Sequence, residues 1–231
     1  MRRPDPDDLA YLAGLAGGAL LLVLAGFVEL RETRFASSND LSGIWAGGHA
    51  LVSGADPYDA ATWRATATGA QGQVPETTVY GYPAWIALLM APLGLLPVRA
   101  ASLLWTVAGL ALAAVALRGL LRDRASGLPA LHTLAGLSLL VSQPAIVSFY
   151  DGQWSFLLLA LVCAALVLLA RRPARAGVLA GAALLVKPQL FVLALPQLAR
   201  GAPPRALVAA LIAVIVALAV SLVALPGWPA R

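Results

Sequence analysis

The few residues of this chain that can do chemistry sit at the margins of long apolar blocks. Asp40 ends the run Ser37-Ser38-Asn39-Asp40, shortly beyond the first apolar block. A carboxylate there can act as general base toward a hydroxyl. The same residue suits the N-cap of a helix beginning at Leu41, and the two roles are compatible. Asp151 and Gln153 form a polar pair around Gly152, between two apolar blocks. They read either as a substrate contact or as a plain turn, with the glycine supplying backbone freedom. Lys187 is the single lysine and has uncharged residues on both sides. Centring such a charge in a bilayer costs about 2.5–3.5 kcal/mol, so it usually faces a cavity or a partner. A phosphate is a natural partner, and snorkelling from a helix break is the alternative. Trp45, Tyr58, Trp63, Tyr80, Tyr82 and Trp85 crowd one stretch. An interfacial belt explains most of them. Aromatic faces also stack on sugars, which makes Tyr58 and Tyr82 candidates for holding a glycan.

Other chemistries lack their residues. His49 and His132 stand apart from any other metal ligand, and Cys163 lies alone in an apolar block. No metal site is expected. Neither a glycine-rich phosphate loop nor a serine nucleophile elbow occurs, and no cofactor is expected. The net charge of +5 comes from short arginine clusters between apolar blocks. Membrane topology accounts for those, so nucleic acid is not an expected partner.

The elements that must position these residues are membrane helices. Apolar residues make up 60% of the chain and charged residues 12%, against about 45–50% and about 25% in soluble domains. Residues 9–28, 100–117, 125–150, 152–170 and 206–230 carry no charge. A bilayer core takes about 20 apolar residues as a helix. The first block is long for a signal peptide, and Asp5, Asp7 and Asp8 precede it, so it reads as a retained anchor. The expectation is an all-α membrane protein with one transmembrane domain over residues 1–231. It comprises an anchor helix (1–30), an extracytoplasmic loop (31–78) and the remaining membrane segments (79–231), multi-pass in the plasma (inner) membrane.

Arginines orient the chain, because cytoplasmic loops collect them. Placing Arg2/Arg3, Arg118/Arg122/Arg124, Arg171/Arg172/Arg175 and Arg200/Arg205 inside leaves Arg31, Arg34, Arg64, Arg99 and Arg231 outside. That choice needs an odd number of spans between residues 30 and 118, so one of two apolar segments should not cross. Residues 80–97 hold Pro83, Pro92 and Pro97, which break helical hydrogen bonding. They read as a broken, interfacial or re-entrant segment packed on protein. The rival topology lets them span and puts fewer arginines inside. In the outer loop, Ile44, Trp45, Gly48 and Val52 share a helical face. That predicts a short amphipathic helix over 41–53 lying on the membrane surface, followed by a turn at Asp56-Pro57-Tyr58-Asp59. Residues 176–186 and 188–199 read as two half-helices meeting at Lys187-Pro188.

The order of these motifs resembles glycosyltransferase family 87, also called DUF2029. The family is described as polyprenol-phosphate-dependent mannosyltransferases of the multi-helix GT-C fold. The matching stretches are Asn39-Asp40 with Trp45-Ala46-Gly47, Gly54-Ala55-Asp56-Pro57-Tyr58-Asp59, Tyr82-Pro83, Pro92-Leu93, Leu96-Pro97, Trp105, Gln143-Pro144, Gly152-Gln153, and Ala176-Gly177 leading to Lys187-Pro188. They cover about residues 37–200. Tyr82-Pro83-Ala84 lacks the second proline common in that motif, and family members run to near twice this length.

The resemblance implies a GT-C-like helical bundle with an extracytoplasmic first loop. It implies inverting transfer of a sugar, mannose first among candidates, from a polyprenyl-phosphate donor to a hydroxyl of a lipid or glycan acceptor. Asp40 would be the base, Asp151 and Gln153 a second polar motif, and Lys187 the contact to the lipid phosphate. The length points to the N-terminal half of such an enzyme and to a partner subunit supplying further helices. The alternatives are a non-catalytic or truncated membrane subunit, or a small transporter in which Lys187 meets the cargo.

Overall fold

The computed structural model describes residues 5–29, 40–71, 79–187 and 202–226, and every regular element among them is a helix. In chain order these are α1 (Pro6–Glu29), α2 (Asp40–Val52), α3 (Ala60–Gln71), α4 (Ala84–Gly94) and α5 (Val98–Arg124). They continue with α6 (Pro129–Val141), α7 (Gln143–Asp151), α8 (Ser155–Leu168), α9 (Pro173–Val186) and α10 (Pro204–Ala224). Among the described residues four stretches are long and apolar enough to cross a membrane: Pro6–Val23, Val98–Arg124, Pro129–Phe149 and Pro204–Ala224. The chain is a helical membrane protein.

Two compact units make up this fold. One holds α1, α5 from Ala108, α6, α7 to Phe149, α8, α9 and α10 to Ala213. The other holds α2, α3, α4, α5 to Val107, Tyr150–Gln153 and α10 from Val214.

In the first unit α1 packs most closely on α6. Gly14 of α1 sits against the Thr133 carbonyl, and Gly136 of α6 against the Tyr11 carbonyl, so a methyl at either position would collide with backbone. Gly14 and Gly18 have the small-xxx-small spacing that lets apolar helices approach closely. Gly177 of α9 meets the Ala206 backbone of α10 in the same manner. Charges lock the helix ends. Asp8 in the first turn of α1 accepts from Arg118 Nε and Arg122 Nε, each at 2.8 Å. Asp7 accepts from the Gly127 N–H at 2.6 Å. Tyr11 donates to the Ala114 carbonyl at 2.9 Å.

These contacts join the start of α1 to the end of α5, so the two helices run in opposite directions. The chain between them therefore begins and ends on one side of the membrane, and α4 has no need to cross. At 11 residues α4 spans about 16 Å, half a bilayer core, and Pro92 lies inside it. The broken-segment expectation for residues 80–97 agrees with this geometry.

Other boundaries differ from the sequence reading. Helix α5 runs on to Arg124, so its arginines decorate its last turns. The uncharged block 125–150 is interrupted at Ser142, whose extended backbone (φ −67°, ψ 150°) separates α6 from α7. Pro144, which has no N–H to donate, follows two residues on, in the first turn of α7. Helix α9 ends at Val186 with Lys187 as its C-cap (φ −146°, ψ 84°), and the second half-helix expected over 188–199 lies outside the described residues.

The helix expected over 41–53 forms one residue earlier but does not lie on a surface. Residues 41–48 and Ala50 are all buried, and α2 packs against α4 and α3. Its glycines explain the difference. They give the helix narrow faces on which other backbone can rest, so burial extends well beyond the apolar stripe.

The glycine contact between α1 and α6 can be tested. Gly14→Ala should lower stability by ~1–3 kcal/mol, the usual effect of overpacking. Gly17→Ala, whose added methyl meets nothing nearer than Leu137 Cδ1 at 4.0 Å, should change it by less than ~0.5 kcal/mol. Thermal unfolding of both variants in detergent makes the comparison, and equal losses would contradict the packing.

Candidate functional site

The residues singled out from the sequence gather mainly in the second unit, around α2. Helix α4 is short, and its last carbonyls have no partners within the helix. Two side chains of α2 supply them. Trp45 Nε1 donates to the carbonyls of Leu93 (3.0 Å) and Leu96 (3.1 Å). His49, one turn on, donates through Nδ1 to the Gly94 carbonyl at 2.7 Å. The two rings stack with centroids 4.6 Å apart. Gly48 and Gly94 admit this contact, since a methyl on either would meet the backbone of the opposite helix. His49 is thus engaged by a backbone carbonyl and an indole ring.

Next to this clamp the aromatic residues form a buried cluster. Tyr80 lies flat against Gly47, where a methyl would strike its ring. Around it stand Tyr58, Trp63 and Tyr82, with ring centroids 5.5, 5.6 and 5.5 Å away. Trp45, Trp63 and Tyr80 are buried, so they build a core where an interfacial belt was expected. The Tyr80 hydroxyl is buried with no hydrogen-bond partner among the described residues. Tyr58 donates its hydroxyl to the Tyr82 carbonyl at 2.6 Å.

The turn before α3 comes from local chemistry. Asp56 Oδ1 accepts from the Tyr58 N–H at 2.9 Å, and Asp59 Oδ2 from the Thr62 N–H at 2.8 Å. The first is an Asx turn and the second an N-cap for α3. Gly54 supplies a positive φ of 73° just ahead of them. Both aspartates therefore serve the loop that carries Tyr58.

Asp40 is the first residue of α2 and is exposed. There the helix dipole favours a carboxylate. Gln153 Nε2 donates to Asp40 Oδ2 across a sequence separation of 113. Gly152 makes that contact possible. Its φ of 63° ends α7 in the left-handed conformation that glycine adopts freely, and the chain turns so that Gln153 reaches α2. Asp40 also acts on Tyr82. Burial raises the Tyr82 phenol above its ordinary pKa, and the nearby Asp40 charge adds to the shift. Burial likewise raises Tyr58, with a contribution from Asp56, to about 12. Tyr80 goes well above 10, again mainly through burial.

The structure thus brings Asp40, Gln153, Tyr58 and Tyr82 into one unit. Asp151, the last residue of α7, is beside them in sequence. Lys187 is different: half-buried, it ends α9 in the other unit. Trp45, His49, Trp63 and Tyr80 were not singled out as site-builders from the sequence. Their signal was present in Trp45 and His49 at i and i+4, with the glycine pair between them.

Chemically, the arrangement offers an exposed carboxylate steadied by an amide and flanked by neutral phenols. It can take a proton from a hydroxyl and hold a ring with aromatic faces. Among the described residues no group of His, Cys, Asp and Glu could hold a metal ion.

The family model for glycosyltransferase family 87 matches residues 80–230. The matched stretch includes Tyr82, Asp151, Gln153 and Lys187; Asp40 and Tyr58 precede it. No curated protein and no solved structure matches the chain.

The buried phenols predict alkaline instability. A folded pKa raised above the unfolded value near 10 means the unfolded chain gives up its protons first. The stability held by neutral phenols is complete below pH 10 and falls as pH rises toward 12. Unfolding temperatures in detergent should therefore drop across this window. Tyr58→Phe, which removes one titrating group, should flatten the slope while losing the bond to the Tyr82 carbonyl.

Proposed function

The chain belongs to glycosyltransferase family 87, and on that basis we propose that it transfers a sugar from a polyprenyl-phosphate donor to a hydroxyl acceptor on the extracytoplasmic face, with Asp40 as base. Membership of the family makes it a membrane glycosyltransferase; donor, sugar and residue roles are the reading proposed here. The observation that carries it is the bond between Gln153 and Asp40 beside the tyrosine cluster.

In this reaction the acceptor oxygen attacks the anomeric carbon of the sugar. Its proton passes to the Asp40 carboxylate. The bond between the anomeric carbon and the phosphate oxygen breaks from the opposite face, which inverts the configuration, and lipid phosphate leaves with the electron pair. Gln153 limits the rotation of the Asp40 carboxylate without neutralising it, because an amide donates a hydrogen bond and carries no charge. Tyr58 and Tyr82 supply ring faces and neutral hydroxyls for the sugar, and Asp151 a further polar contact. Lys187, a cation at the break after α9, is assigned to the phosphate, whose developing charge it would stabilise. Mannose is the sugar favoured by the family resemblance, and a lipid or glycan is the acceptor.

Replacing Asp40 tests the base. Asp40→Asn keeps the side chain's size and its capacity to accept one hydrogen bond, but it cannot take the proton. Transfer in isolated membranes should fall by about 10²–10⁴-fold, the usual contribution of a general base, with insertion and purification unchanged. Parental turnover by Asp40→Asn would end the assignment.

The donor class is tested separately. Membranes unable to make lipid-linked sugar should support transfer when given synthetic polyprenyl-phosphate mannose, and none from a radiolabelled nucleotide sugar. Incorporation from the nucleotide sugar alone would refute the proposed donor.

A further inference from the structure

At the arginine-rich end of the first unit a groove of about 940 Å³ opens among α5, α6, α8 and the chain entering α10. Its walls are apolar, with Leu120 and Leu121 from α5, Leu131 from α6, Leu166 from α8 and Pro203 before α10. Arg124 is the charged residue of the lining.

The charge around this groove is unbalanced. Asp123 is shared by two arginines: Arg124 donates to it through Nε at 3.1 Å, and an Arg171 terminal nitrogen lies 3.6 Å away. One carboxylate between two guanidiniums leaves a net positive charge. Arg172 follows Arg171, close in sequence to Ala170 of the lining, and Arg205 follows Pro203; both are exposed. Arg118 and Arg122 pair with Asp8 and line no part of the groove. An apolar trough with a guanidinium at its mouth matches a molecule with a hydrocarbon chain at one end and an anion at the other.

We propose that this groove binds one anionic phospholipid, its acyl chain along Leu121, Leu131 and Leu166 and its phosphate at Arg124. A guanidinium presents paired N–H donors suited to phosphate oxygens. The arginine excess marks this end as cytoplasmic, the side where anionic lipids and basic crevices between helices meet. The site uses none of the residues assigned to sugar transfer and stands independently of that reading.

Native mass spectrometry of the full chain in detergent tests it. The protein is titrated with phosphatidylglycerol or with phosphatidylcholine of the same acyl chains. The parent should retain one phosphatidylglycerol in clear preference. Arg124→Gln should cut that preference roughly fivefold, the contribution of one arginine near an anionic surface. Arg64→Gln, which removes an exposed arginine of α3, should leave it unchanged. Leu166→Trp, which fills the groove and keeps every charge, should also reduce retention, and it decides the matter if Arg124→Gln fails to fold. Equal retention of the two lipids by the parent would overturn the proposal, as would an equal loss in Arg64→Gln. Displacement of the lipid by millimolar inorganic phosphate would mark a free-phosphate site and overturn it as well.

Discussion

Backbone polar groups in apolar surroundings must find partners inside the protein, and the second unit is organised around one instance of that constraint. Helix α4 is too short to cross a membrane and ends with open carbonyls. Trp45 and His49 donate to the carbonyls of Leu93 and Gly94 in its last turn and of Leu96 just beyond it. The Leu93 carbonyl also accepts from the Leu96 N–H at 3.0 Å, so the His49 bond matters most at buried Gly94, where an unpaired carbonyl would cost about 1–3 kcal/mol. With α4 held, the chain leading into it lays Tyr80 on Gly47 and brings Tyr82 to Tyr58. The aromatic cluster, and with it the neighbourhood of Asp40, depends on two side chains one turn apart.

The first unit solves a different problem. Its helices are apolar on every side, and lipid is as apolar as leucine, so burial of oily surface gives them little reason to associate. Close backbone approach at Gly14, Gly136 and Gly177 provides dispersion contacts that lipid cannot match. Direction comes from charge. Asp8 holds Arg118 and Arg122, and this bond makes α1 and α5 antiparallel. Asp8, one of the aspartates that argue against a signal peptide in the sequence, is the partner of Arg118 and Arg122.

At the candidate site the Asp40 carboxylate stands beside phenols kept neutral. Burial holds the phenols of Tyr58, Tyr80 and Tyr82 protonated far above neutral pH, and Asp40 adds to the shift at Tyr82. A glutamine partner preserves the Asp40 charge, whereas a second acid would compete for it. The contact joins the start of α2 to the turn after α7, which requires both to be on the same side of the membrane.

The sequence by itself determined the membrane class, the proline-broken character of residues 80–97, the turn at residues 56–59 and the candidacy of Asp40, Gln153, Tyr58 and Tyr82. Those features follow from composition, proline placement and local hydrogen bonding, which need no distant partner. Only the tertiary structure decided that α2 is buried, because a one-faced apolar pattern does not register glycines that admit a second backbone. Only it paired Trp45 and His49 with the end of α4, Asp8 with Arg118 and Arg122, and Gln153 with Asp40. Each of those bonds joins residues far apart in the chain. Their geometry is set by helix packing, and no local pattern of residue types encodes it.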